Sequence, residues 1–322
     1  MPTPAIAPAV TPTDIDHAAT RLAGHIRVTP LLDIAAAELD LPSDVVLKLE
    51  LLQHVGSFKP RGAFNRVLAA GPIPDAGLVA ASGGNHGAAV AFVARSLGHH
   101  AEVFVPSSSP KMKRDRIASL GATVHVVDGL YDDAQAAATA HQLQTGALAV
   151  HPYDHPDVVA GQGTMARELE LQMAARGSEF DTVLVASGGG GFTAGQAAWF
   201  AGRKRVVAVE PETSQCLRAA RLAGEPVDVS VTGVAADSLG AKRLGAVAWT
   251  IVEHFVADAI TVSDDDIRAA QRLLWDRLRL VAEPGGATAL AALHSSAYIP
   301  SPGERIVVVV CGSNCDPATV IG

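Results

Sequence analysis

Short apolar runs rich in β-branched residues recur along the chain, spaced so that one helix fits between each pair. They are Val45–Glu50, Leu78–Ala81, Glu102–Val105, Thr123–Val127, Thr182–Ala186, Arg205–Glu210 and Arg305–Val310, separated by alanine-rich stretches. Strands alternating with helix-length segments predict parallel sheets covered on both faces, an α/β protein. The run Arg305-Ile-Val-Val-Val-Val310 has no polar alternation, as a strand buried on both faces requires. Residues 64–150 hold strand and helix units of their own, and are expected to form a small domain inserted in a large one made of 14–63 and 151–322. Residues 1–13, rich in proline, read as a flexible tail.

Bulk properties narrow the function. With 322 residues, 48% hydrophobic and 18% charged, the chain can bury the cores of about two domains. A net charge of −8 leaves no broad basic surface, so nucleic acid is not an expected partner. The cluster Lys111-Met-Lys113-Arg114-Asp-Arg116 reads as a solvated helix start. The N-terminus has neither the basic start of a signal peptide nor the length of a membrane span. Cys216, Cys311 and Cys315 are too few for a disulfide framework, which favours a reducing, cytoplasmic setting, and their spacing does not fit zinc.

Two strand-to-helix junctions repeat Ser-Gly-Gly. In Ser187-Gly188-Gly189-Gly190-Gly191, backbone N–H groups can close on an anion at a helix N-terminus, which suits a phosphate. Gly189, Gly191 and Ala194, with Glu210 ending the next strand, also satisfy a dinucleotide fingerprint, so a nicotinamide-dependent oxidoreductase is an alternative. Ser82-Gly83-Gly84-Asn85-His86-Gly87 puts small residues, an amide and an imidazole where a carboxylate could bind. Upstream, Lys59 follows Phe58 and precedes Pro60. A desolvated amine there becomes a nucleophile toward an aldehyde, and a phenyl ring can cover a flat cofactor.

Gly56-Ser-Phe-Lys-Pro-Arg-Gly-Ala63, Ser82 to Gly87, Gly188 to Gly191, Val209-Glu-Pro211, Glu283-Pro-Gly-Gly-Ala287 and Cys311-Gly-Ser-Asn314 together resemble the fold-type II pyridoxal-phosphate enzymes, tryptophan synthase β-like in fold. The nearest likeness is to serine/threonine dehydratases and serine racemases. The resemblance implies that Lys59 holds pyridoxal 5′-phosphate as a Schiff base and serves as the acid/base group once substrate displaces it. It implies further that Phe58 lies against the cofactor ring, Asn85 bonds its 3′-oxygen, Gly188, Gly189, Gly190 and Gly191 hold its phosphate, and Glu283 and Cys311 lie near the pyridine. Ser82, Gly84, Asn85 and His86 would take the carboxylate of a small amino-acid substrate.

Departures from the family pattern shape the expected reaction. Racemases carry a serine at the position of Gly83, so inversion is expected to be poor. Cys216 stands where a divalent-ion site has an acid, so no metal is expected. Cys311 replaces a serine, and a thiol is a weak donor to the pyridine nitrogen. Tyr153 is more like dehydratases. The expected function is β-elimination from L-threonine or L-serine, giving a 2-oxo acid and ammonia. Serine racemisation, another β-elimination or β-replacement, nicotinamide chemistry and cofactor binding without turnover are the alternatives. A homodimer is expected, and no C-terminal amino-acid sensor beyond Gly322.

Overall fold

The computed structural model describes residues 7–321. Six strands form one sheet in the order β1 (Leu31–Ile34), β2 (Val45–Lys48), β10 (Ile306–Val309), β7 (Thr182–Ala186), β8 (Arg205–Pro211), β9 (Val256–Val262). Four form a second sheet in the order β5 (Thr123–Val127), β4 (Ala101–Pro106), β3 (Leu78–Ala81), β6 (Leu148–Ala149). Every pairing is parallel except β1 with β2. The helices are α1 (Pro12–Leu22), α2 (Lys59–Ala69), α3 (Asn85–Leu97), α4 (Lys111–Ser119), α5 (Tyr131–Thr145), α6 (Pro156–Ala175), α7 (Gly191–Phe200), α8 (Cys216–Ala223), α9 (Ala236–Leu239), α10 (Ala246–Phe255), α11 (Asp264–Leu278), α12 (Pro284–His294) and α13 (Ala318–Ile321).

The apolar runs become the sheet centres. Val183 to Val185, Val206 to Val209 and Val307 to Val309 are each 0% exposed, and burying one such side chain is worth about 1.5–3 kcal/mol. Three strands carry weaker patterns. β1 exposes its two central residues, β6 has only two residues, and β9 is half exposed along its length.

Two expectations are corrected. Residues 12 and 13 belong to α1, because Thr11 and Asp14 form a reciprocal capping box with Pro12 at the first turn. Val10 is buried and the Ala9 N–H donates to Thr250 Oγ1 at 3.0 Å, so the expected tail is packed from there on; residues 1–6 lie outside the described residues. The boundary drawn between residues 63 and 64 falls inside α2, a continuous helix.

A buried ionic cluster fixes α2. Arg61 donates through Nε and Nη2 to both oxygens of Glu50 at 2.8 and 2.7 Å, and through Nη2 to Glu168 at 2.9 Å. Lys48 Nζ completes it, bonding Glu168 at 2.5 Å, Gln172 and the Thr29 carbonyl. Burial opposes the charge on Glu50, and Arg61 overcomes it, holding the carboxyl below its ordinary value. β2, α2 and α6 are thereby tied together two residues from Lys59.

Candidate active site

The parallel strands point their C-terminal ends at one cleft, where open α/β sheets place their ligands. Ser82 follows β3 and Ser187 follows β7, and each backbone N–H donates to the neighbouring strand, to Phe104 O at 3.0 Å and Val209 O at 2.9 Å. The Ser-Gly-Gly echo therefore has one structural cause. Both loops lead directly into a helix N-terminus, α3 and α7.

Lys59 opens α2. Ser57 pairs with Gly312, Phe58 N–H donates to Cys311 O at 3.2 Å, and Ser313 N–H donates to Gly56 O at 2.9 Å. The segment before Lys59 thus lies alongside the one after β10, which brings Cys311 to the lysine. Lys59 Nζ donates to the Pro152 carbonyl at 2.9 Å and sits 5.1 Å from the Phe58 ring centroid. Burial lowers its pKa to about 8, with Cys311 and Glu283 opposing the shift. Phe58 itself stacks on Phe192, centroids 3.9 Å apart.

Asn85 is gripped from two sides. Its Nδ2 donates to Glu283 Oε1 at 2.6 Å, and its Oδ1 accepts from Asn314 Nδ2 at 2.5 Å. Glu283 is 3% exposed, and burial pushes its carboxyl up to about 7. The buried Cys311 thiol donates to Gly285 O at 3.4 Å, and burial raises its pKa. Ser82 Oγ accepts from Gly84 N–H at 3.2 Å.

His86 is less available than its motif implies. Its Nε2–H donates to Val150 O at 2.7 Å, and burial, then the charge of Lys59, lower its pKa to about 3. The imidazole is committed to the protein. Its backbone N–H at the start of α3 is what can face a carboxylate.

The tetraglycine loop has the features of a phosphate site. Among the described residues, the backbone N–H groups of Gly188, Gly189 and Gly190 find no acceptor, and the Ser187 and Thr193 hydroxyls are buried without a partner. Gly190 takes φ +84°, a conformation that favours glycine. A Cβ on Gly189 would come 2.6 Å from the Tyr153 ring. Unsatisfied donors at a helix N-terminus fit a phosphorylated cofactor, and Lys59, Asn85, Glu283 and Cys311 lie in the same cleft.

Neighbouring positions have partners of their own. Glu210 accepts from Leu217 and Arg218 N–H, both at 2.8 Å, capping α8, while Cys216 Sγ donates to Gly188 O at 3.1 Å. Among the described residues no group of His, Cys, Asp and Glu is placed to hold a metal. Gly83 faces the Ser109 hydroxyl, which lies 1.9 Å from where a Gly83 Cβ would stand. A hydroxyl is therefore present beside that position, supplied by another loop.

Four residues of the cleft lay outside the motifs. Ser109 arrives from the β4–α4 turn. Lys113 pairs with Asp237, and Arg116 donates to Asn314 Oδ1 and to Val55 O at 3.0 Å. The helix starts at Lys111 and most of residues 111–116 are exposed, as expected, but Lys113 is largely covered, and with Arg116 it lines a cavity of about 110 Å³ beside Asn85. His151, before Pro152, lies beside Lys59. The cationic cluster was the one signal in the sequence; Ser109 and His151 carry none.

A family model described as pyridoxal-phosphate dependent enzyme matches residues 22–312. The biosynthetic L-threonine dehydratase of Escherichia coli (strain K12) is 37% identical over 293 residues, 89% of this chain and 56% of that protein. The chain thus spans little more than half the length of such relatives. An L-threo-3-hydroxyaspartate ammonia-lyase of Pseudomonas sp is 34% identical over 309 residues, 94% of this chain and 95% of that one. Among solved structures, a threonine deaminase of T.th. superposes with a TM-score of 0.88 at 34% identity, covering 95% of this chain and 99% of that one. The cleft with its buried lysine and its open glycine loop, and a match over most of the chain, agree: the chain belongs to the pyridoxal-phosphate dependent enzymes of fold-type II, and its cofactor is pyridoxal 5′-phosphate.

Proposed function

We propose that the chain is an ammonia-lyase that eliminates water from L-threonine or L-serine to give a 2-oxo acid and ammonia. The observation that carries this is a buried lysine amine, its pKa lowered to about 8, between two loops that each end in a helix N-terminus. In this reading Gly188 to Gly191 hold the cofactor phosphate, Phe58, Asn85, Glu283 and Cys311 surround its ring, and Ser82, Gly84, Asn85 and the His86 N–H orient the substrate carboxylate. Electron withdrawal from the substrate α-carbon is the chemistry that pyridoxal 5′-phosphate supplies when bound. Lys59, with its amine free, would remove the α-proton. The β-hydroxyl leaves as water, and the enamine set free hydrolyses to the 2-oxo acid and ammonia.

The smaller sheet, β3 to β6, acts in this reading as a domain set against the larger sheet. We place the enzyme in the cytoplasm as a homodimer, in keeping with three free cysteines. Among the described residues no helix is long and apolar enough to cross a membrane. The test is a panel of L-threonine, L-serine and 3-hydroxyaspartate read as 2-oxo acid, with Lys59→Ala as control. Wild-type protein that holds cofactor and forms no 2-oxo acid from any of them sinks the reading. Racemisation of serine is a second reading, favoured by the Ser109 hydroxyl beside Gly83; chiral analysis of recovered serine separates the two.

A further inference from the structure

Between β6 and α6, the segment His151-Pro152-Tyr153 crosses from the smaller sheet to the larger and touches several parts of the cleft. The Pro152 carbonyl accepts from Lys59 Nζ at 2.9 Å. The Tyr153 ring covers Gly189, and the Tyr153 carbonyl lies 2.5 Å from where a Gly191 Cβ would stand. His151 belongs to the same cluster, its ring edge-on to Tyr153 with centroids 4.9 Å apart.

The protein settles which ring nitrogen carries the proton. Nδ1 of His151 accepts from the backbone N–H of Asp154 at 2.8 Å and of Tyr153 at 3.3 Å. A backbone N–H can only donate, so Nδ1 holds the lone pair and the hydrogen sits on Nε2. Burial chiefly, with the charge of Lys59 adding to it, lowers the His151 pKa to about 4, so the ring is neutral at physiological pH. Among the described residues Nε2–H has no acceptor. The ring thus presents a donor of fixed tautomer that is open to a ligand oxygen, on the segment that also supplies the acceptor for Lys59.

We propose that His151 contacts the substrate, donating its Nε2–H to the β-hydroxyl oxygen that leaves in the elimination. The inference rests on the dehydratase reading above. Lys59 takes the α-proton and returns it to the departing oxygen, the Cβ–O bond breaks, and the electron pair of the former Cα–H bond becomes the Cα=Cβ bond. Water is the product. His151 gives up no proton, since a neutral imidazole is a very weak acid; it is a preorganised dipole aimed at the oxygen on which charge builds.

The experiment compares two substrates in the holoenzyme, L-serine and 3-chloro-L-alanine, both read as pyruvate. Chloride leaves without needing a strong hydrogen-bond donor. His151→Ala is expected to lower kcat for L-serine by roughly 10²-fold and to leave 3-chloro-L-alanine within about threefold of wild type. His151→Gln, which keeps a side-chain N–H, is expected to recover part of the serine rate. Equal losses on both substrates would show a merely structural role and overturn the proposal. If His151→Ala fails to retain cofactor, the same comparison on His151→Gln decides: a loss confined to L-serine is the supporting result, and equal losses on both substrates, or none on either, overturn it. Wild-type enzyme that eliminates chloride but releases no 2-oxo acid from any hydroxy amino acid would instead sink the dehydratase reading itself.

Discussion

Lys59 owes its reactivity to place. Burial brings its amine to about 8 from an ordinary 10.5, so the neutral form is common where a solvated lysine would be almost wholly charged. The rate at which cofactor-free protein captures pyridoxal 5′-phosphate should therefore rise with pH and level off above about 8; a rise continuing to the ordinary lysine range would contradict the burial. Lys59→Ala should lose at least about 10³-fold in kcat for any elimination substrate, the loss of a positioned general base. At Gly83 steric reasoning gives a paired prediction. Gly83→Ser alone must displace the Ser109 hydroxyl and should weaken substrate binding, whereas Gly83→Ser combined with Ser109→Gly should restore KM toward wild type. A double variant no better than the single one would place the clash elsewhere. Lys59, Asn85 and the tetraglycine loop were legible in the sequence because each lies in a contiguous motif whose chemistry is local. Ser109 and His151 were not: pairing of β3 with β4 brings the β4–α4 turn to Gly83, and the crossing from the smaller sheet to the larger brings His151 to the lysine.

Among the elements, α8 and α2 are held by buried carboxylates whose energetics differ. Glu210 caps α8 with both oxygens, yet burial pushes its carboxyl up to about 7 from 4.5. The folded chain holds this proton more tightly than the unfolded one, so the associated stability is fully present below about pH 4.5 and is lost as pH rises through about 7. Glu210→Gln should flatten the fall in Tm between those pH values; an unchanged slope would contradict the assignment. Glu50 is the opposite case, held ionised by Arg61. Glu50→Ala leaves that guanidinium buried and short of its main partner, and should cost about 3–5 kcal/mol in urea unfolding. The strands flanked by these helices were readable from unbroken apolar runs. β1, β6 and β9 were missed because β6 has only two residues and the other two expose much of their length, so their places are set by pairing with a neighbour.

At the scale of the whole molecule, ion pairs join the smaller sheet's helices to the stretch between α8 and α10. Lys113 of α4 meets Asp237 of α9, and Lys242 Nζ meets Asp132 of α5 at 2.6 Å. Lys113 also lines the cavity beside Asn85, so its pair bears on substrate entry more than on folding. Lys113→Met should raise KM while changing unfolding free energy by no more than about 1 kcal/mol. A large loss of stability with unchanged KM would show that the pair supports the fold instead. The overall α/β class was readable from strand spacing; the cleft's outer wall was not, since its cations resemble an ordinary solvated helix face until the two sheets are brought together. Everything proposed for the site depends on Lys59 being the lysine that holds the cofactor. The most direct measurement is borohydride reduction of the cofactor-loaded protein followed by peptide mapping. The pyridoxyl group should be found on Lys59 alone, and its recovery on any other lysine, or on none, would contradict the account.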